Sequence, residues 1–160
     1  MPQSFLAQDI RPRLIDAGRF EPITVRDDSI VCSIDSVQWS LFRYEYPLLE
    51  SPERYVSIRI ASVRDIAAMK LVAIGDRGSR KDFYDLYTIL RLGGFNIRKI
   101  LEDAVSKFHL PPDNLYHYIR ALTYFDDAIR TPDIRDMLRI DVRWPEVELF
   151  FRNLAKTLAS

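Results

Sequence analysis

One cysteine, Cys32, is all that the 160-residue chain carries, so an intramolecular disulfide and a cysteine-cluster zinc site are both excluded. Histidine is nearly as scarce. His109 and His117 have no metal-ligand partner beside them in the sequence and read as surface or helix-packing residues. An excess of one charge sign is also lacking: 23 bases balance 23 acids, which excludes a globally basic nucleic-acid coat protein. A local basic site stays open, because net charge averages over all faces. No apolar run approaches the roughly 18 residues a membrane-spanning helix needs. Residues Met1 to Ile10 show no basic patch followed by an apolar stretch, so no secretory signal is expected, and a reducing cytoplasm is the expected location. What is present is the composition of a folded globular chain, 48% hydrophobic and 29% charged, large enough for a core without staples.

The hydrophobic pattern changes near residue 60. Phe5 to Asp16 has helical spacing that Pro12 must kink or divide. Ile23–Val25, then Asp27-Asp28-Ser29, then Ile30–Ile34 read as a strand, a polar turn and a second strand. Past Asp35-Ser36, the alternation from Val37 to Tyr46 predicts a third strand, and Val56 to Ile60 a short fourth. From Val63 the pattern turns helical, with breaks expected at Gly75 and Gly78. A second helix is expected from Arg80 to Leu92, restarted by Ser79 with Asp82 as a capping-type pair. Asn96 caps a third helix to Phe108, a fourth covers about Asp113 to Tyr124, and Pro145 opens a last one, Glu146–Leu158. The expectation is an α+β chain in two parts. Residues 1–62 form a small mixed or antiparallel sheet with a leading helix, and 63–160 a helical region packed with it as one unit.

The segment from Arg59 to Asp85 carries the chemistry. Arg59, Arg64, Lys70, Arg77, Arg80 and Lys81 supply six bases between residues 59 and 81, against Asp65 and Asp76 alone. Lys70 and Arg77 stand two helical turns apart, and share a face if the helix survives Gly75. Asp82 and Asp85 fall on one face of the next helix. Bases beside two carboxylates suit a nucleoside triphosphate, whose charge needs neutralising while a carboxylate handles a hydroxyl. The same spacing also suits a solvated helix face with ordinary pairs such as Arg80 with Asp82 or Lys81 with Asp85. Asp126-Asp127 diverge on a helix and read as helix-end residues. Trp39, Phe42, Tyr44 and Tyr46 are divided between base-stacking candidates and core.

Lys70-x6-Arg77-x3-Lys81-Asp82-x2-Asp85-Leu86-Tyr87 resembles the lysine/arginine/aspartate motif of the AbiEii/AbiGii toxin family of nucleotidyltransferases. The words Asp65-Ile66-Ala67-Ala68-Met69-Lys70, Leu122-Thr123-Tyr124-Phe125-Asp126-Asp127-Ala128 and Phe42-Arg43-Tyr44-Glu45-Tyr46-Pro47 are similar too, so the likeness runs over about residues 10 to 155. The resemblance implies a polymerase-β-like nucleotidyltransferase fold with a helical C-terminal region. It further implies the toxin of a toxin–antitoxin or abortive-infection system, partnered by an antitoxin. Its chemistry would be nucleotide transfer from a nucleoside triphosphate with magnesium, in some members onto tRNA. On that resemblance Lys70 contacts the triphosphate with Arg77 and Lys81 in support, and Asp82 or Asp85 orients the acceptor hydroxyl or holds the neighbouring bases.

The same resemblance calls for a Gly-Ser turn ahead of an Asp-x-Asp strand, which would grip phosphate and hold the metal. None of Gly18, Gly75, Gly78, Gly93 and Gly94 precedes such a strand. Asp27-Asp28 and Asp35 read as turn residues, leaving Glu45 as a lone strand-borne candidate ligand and the metal site unassigned. The expectation is therefore a member that is truncated or degenerate, with a weakened chemical step. The alternative is a non-catalytic nucleotide-, RNA- or partner-binding module. An open sheet edge makes a homodimer a candidate assembly.

Overall fold

The computed structural model describes residues 7–159, and tertiary contacts divide the chain into two compact units between Glu45 and Tyr46. The architecture is α+β. In the first unit, helix α1 (Ala7–Asp16) precedes an antiparallel sheet of β1 (Phe20–Arg26), β2 (Ser29–Ile34) and β3 (Val37–Phe42), in that order. Asp27 and Asp28 form the first hairpin turn. Asp35 and Ser36 form the second at φ of 49° and 68°, the left-handed conformation a two-residue hairpin requires. The Asp35 carboxylate accepts from the Arg19 backbone N–H at 2.9 Å. All three aspartates are therefore turn formers, as their residue type demands. Ala7, Ile30 and Cys32 make a small buried core.

The third strand stops at Phe42 rather than Tyr46. Its partner β2 begins at Ser29, opposite Phe42, and Arg43 N–H to Asp28 O is the last bond the ladder can supply. Glu45 consequently lies past the strand, exposed and paired with Arg43 at 3.2 Å, not on a strand as a metal ligand. Trp39 and Phe42 stay half-exposed on this edge, while the Tyr44 ring stands edge-on to Phe42. In the other unit, Tyr46 packs against Phe108.

The second unit opens with a hairpin where one strand was expected: β4 (Glu53–Tyr55) pairs with β5 (Ile58–Ile60). The alternation misleads here because Val56 turns the chain at φ 56°, an uncommon conformation for a β-branched residue. Helices follow: α2 (Val63–Arg77), α3 (Arg80–Leu92), α4 (Ile97–Phe108), α5 (Leu115–Ala121), α6 (Asp126–Arg130) and α7 (Trp144–Ala159). The fourth expected helix is shorter than its pattern, with a 3-10 turn at Pro112–Asn114 before it. Asp126 and Asp127 open α6, where carboxylates favour the helix N-terminus. The core joins α2, α3, α4, α5 and α7 through Leu71, Phe83, Leu86, Ile100, Tyr118 and Phe151, with Phe83 edge-on to both Trp144 and Phe151.

Two ion pairs tie α2 to α4. Ser62 caps α2, and Arg64 grips Asp103 with a bidentate pair at 2.5 Å, which holds the Asp103 carboxyl below the usual range. Asp65 and Lys107, both fully buried, pair at 2.7 Å. Asp65 also accepts from Ser62 Oγ and from the backbone N–H groups of Leu49 and Glu50, and Lys107 donates to Pro47 O at 2.6 Å. Residues 47–50, a Pro-flanked loop with no ladder of its own, are thereby fastened to the helices.

Helix α2 runs through Gly75 without a break and ends at Gly78. Gly75 is there for a neighbour's sake: a Cβ would lie 2.4 Å from the Tyr118 ring. Gly75→Ala gains about 1 kcal/mol of helix propensity but forces that buried ring out of place, a cost of about 1–3 kcal/mol. The expected net result is a lower urea midpoint at unchanged slope. An unchanged or raised midpoint would show that the ring yields freely.

Candidate functional site

The turn Gly78-Ser79 folds α3 back on α2, and the local sequence dictates how. Ser79 is the N-cap of α3, its hydroxyl paired with Asp82 Oδ2 at 2.6 Å, and Asp82 returns to the Ser79 backbone N–H at 3.3 Å. This capping box fixes Asp82 before any substrate is present. Its other oxygen, Oδ1, accepts from Lys70 Nζ at 3.0 Å, and Asp85 Oδ2 accepts from the same ammonium at 2.7 Å. Lys70, Asp82 and Asp85, singled out in the sequence, thus share one cluster across the α2–α3 seam.

Burial pushes the Lys70 ammonium toward losing its proton, but hydrogen bonds to Asp85 and Asp82 outweigh that and hold its pKa above the ordinary lysine value. Burial pushes Asp82 up, yet the Ser79 hydroxyl and Lys70 together hold it below the usual carboxylate range. At neutral pH the cluster is therefore one ammonium between two carboxylates. Of the ammonium's three N–H donors, two are spent, and one remains for a further acceptor. The carboxylates differ: Asp82 is 13% exposed with both oxygens engaged, whereas Asp85 is 40% exposed with only Oδ2 engaged among the described residues.

Arg77, in the last turn of α2, and Lys81, in the first turn of α3, are exposed and form no ion pair among the described residues. Each is spaced to share a face with the cluster: Arg77 two turns from Lys70, Lys81 one turn from Asp85. The other bases of the segment stand elsewhere. Arg64 serves Asp103, Arg80 pairs with Asp133 at 3.6 Å and lies over the Trp144 ring, and Arg59 sits in β5 opposite Arg54. The alternative pairs Arg80–Asp82 and Lys81–Asp85 do not form. Six bases in the sequence thus reduce to Lys70, Arg77 and Lys81 at the site.

Magnesium, which the resemblance implies, needs several carboxylate oxygens converging on one point. Among the described residues no three His, Cys, Asp or Glu side chains gather in that way. Asp82 and Asp85 both already face an ammonium, which repels a divalent cation. The residues of this cluster do not fit the metal.

Two concave surfaces flank α2. A groove of about 500 Å³ follows the seam beyond Asp85, between Val63, Ile66, Thr88, Ile89 and the segment Met137–Ile140. Sequence reading missed it, although Ile66 and Val63 continue the stripe of Lys70 at i−4 and i−7. A larger cavity of about 660 Å³ opens at Gly75, Asp76, Asp113, Tyr116 and Asp127. Three carboxylates against Arg120 make that cavity unsuited to a triphosphate. There His117 Nε2 donates to Gly75 O at 3.0 Å, satisfying one of the last carbonyls of α2.

Among the described residues no helix is long and apolar enough to cross a membrane. No solved structure matches this chain. The uncharacterized protein aq_aa25 of Aquifex aeolicus (strain VF5) is 41% identical over 131 residues, 81% of this chain and 61% of that protein. The chain thus spans about three fifths of the length of the curated relative it matches. Residues 30–147 match the family described as nucleotidyl transferase AbiEii toxin, Type IV TA system, a span that holds the whole Lys70–Asp85 cluster. With Lys70, Asp82 and Asp85 of the motif joined in space and most of the chain matched, the protein belongs to the AbiEii nucleotidyl transferase toxin family of Type IV toxin–antitoxin systems.

Proposed function

We propose that this chain carries the triphosphate-binding part of a toxin that transfers a nucleotide from a nucleoside triphosphate to a hydroxyl acceptor such as tRNA, opposed by a cognate antitoxin. The observation that carries the reading is the Lys70 ammonium, fixed between Asp82 and Asp85 with a donor to spare, together with the exposed cations Arg77 and Lys81, which form no ion pair among the described residues and are spaced to share its face. Lys70 and Arg77 neutralise the phosphates, and Lys81 adds charge at the rim. Asp82, saturated by Ser79 and Lys70, holds the ammonium in position. Asp85, more exposed and half engaged, is the carboxylate that meets a hydroxyl. The Lys70 cluster is not assigned the metal, because both of its carboxylates already face an ammonium.

A second reading, binding without turnover, is favoured by the same engaged carboxylates. Labelled nucleoside triphosphate, magnesium and tRNA test both. The chain is expected to retain the nucleotide and to transfer none of it. Absence of retention overturns the site, and transfer by this chain alone overturns the binding-only reading. Transfer by the longer Aquifex relative under the same conditions supports the catalytic reading, and its absence the binding module.

A further inference from the structure

The groove beyond Asp85 is joined to the cluster by that residue itself, whose carboxylate holds Lys70 and also lines the groove wall. Three zones therefore succeed one another along the seam of α2 and α3. At the turn stand the exposed cations Arg77 and Lys81. One to two turns on stand Lys70 and Asp85, with Asp82, in the first turn of α3, reaching Lys70 from beside them. Beyond them both helices become apolar: Ile66 and Val63 continue the stripe of Lys70, and Thr88 and Ile89 that of Asp85. From Arg77 to Val63 the stripe is about 21 Å long at 1.5 Å per residue.

That order has a chemical counterpart. A nucleoside triphosphate is anionic at one end, carries hydroxyls in the middle and ends in a flat, largely apolar heterocycle. Its zones and those of the seam match in sequence, and reversing the ligand would set phosphate against Val63 and Ile66. We propose that the groove formed by Val63, Ile66, Ile89, Leu138 and Ile140 seats the nucleobase of the nucleotide whose phosphates face Lys70 and Arg77. The proposal deepens the functional reading above and rests on it. Asp85 and Thr88 form the polar edge of the seat, and Arg139 stands at its rim. The walls offer apolar area rather than a set of directed donors, so the seat favours a base by stacking and shape over any single base identity. Val63 is 47% exposed and Met137 82% exposed, so apolar surface already open to water is what a base would cover.

Two probes separate the zones: a nucleoside triphosphate, which spans all three, and inorganic tripolyphosphate, which reaches only the cationic one. Calorimetric titration of the full chain with each is compared for Val63→Glu, Met137→Glu and Lys70→Ala. Both groove positions are exposed, so neither variant buries its charge in the folded free protein, and a thermal melt checks that each folds. The groove variants are expected to lose about tenfold or more in triphosphate affinity, because bound base would desolvate the new carboxylate, and to bind tripolyphosphate as the parent does. Lys70→Ala is expected to weaken both probes. Unchanged nucleotide binding in both groove variants, with Lys70→Ala still impaired, would overturn the base seat and leave the phosphate site standing. Unimpaired binding by Lys70→Ala, or a parent chain that binds neither probe, would overturn the phosphate site and the seat with it.

Discussion

Lys107→Ala is expected to be the most destabilising single change in the helical unit, lowering its stability by about 3–5 kcal/mol, the range for breaking a buried pair from one side. Asp65 would remain fully buried with the hydrogen bonds of Ser62, Leu49 and Glu50 but no cation to balance it. Urea unfolding followed by helical circular dichroism measures the loss. A drop under about 1 kcal/mol would mean that water reaches the vacated site, since a solvated pair contributes that little. The same pair sets the acid limit. Burial pushes the Asp65 carboxyl up, but hydrogen bonds from Lys107, the Leu49 amide and Ser62 outweigh it and hold the pKa below its ordinary 3.8. A depressed carboxylate pKa contributes stability that is full above the unfolded value and is lost as pH falls through the folded one. The parent should therefore lose helix signal below about pH 4, and Lys107→Ala should show a smaller acid-induced change.

Lys70→Ala has the largest expected effect on function. It removes the one ammonium that two carboxylates hold in place and leaves Asp82 and Asp85 facing each other. Removing a preorganised group aimed at developing charge costs about 10²–10³ in rate where chemistry occurs. In the present chain nucleotide retention is the measurable quantity. Stability should fall as well, by about 1–3 kcal/mol, because partly buried carboxylates lose a partner. Lys70→Arg separates the two roles, since it restores charge but not a point donor that fits between both acids. Its stability should recover more than its nucleotide binding. Equal recovery of both would make Lys70 a structural cation only.

Much of this was legible before the fold. The capping box follows from Ser79 and Asp82 standing three apart, and the motif groups Lys70 with Asp82 and Asp85. The pairs that spacing suggests are Arg80–Asp82 and Lys81–Asp85, yet the ammonium that the carboxylates hold is that of Lys70. The helices were legible wherever an apolar face recurs, from Val63 to Phe108 and again from Trp144. What escaped needed partners distant in sequence. Nothing local distinguishes Asp65 and Lys107, 42 residues apart, from solvated charges, and nothing local marks Gly75 as the seat of a tyrosine ring instead of a helix break. The count of six bases overstated the site for the same reason: Arg64 and Arg80 are claimed by Asp103 and Asp133 from other elements. Val56 misled because alternation continues across a tight turn.

The capping box has a consequence for how such a motif is inherited. Asp82 starts α3 through Ser79 and holds Lys70 in the same act, so the bonds that arrange the site are also bonds that fold the hairpin. A lineage that stopped transferring nucleotides would still be selected, for solubility alone, to keep Ser79, Asp82 and Lys70 together. Drift would first erase Arg77 and Lys81, whose exposed side chains carry no described structural duty. In sequences related to this one, the loose cations at the turn are therefore a better gauge of a retained nucleotide site than the aspartate that looks most like its centre.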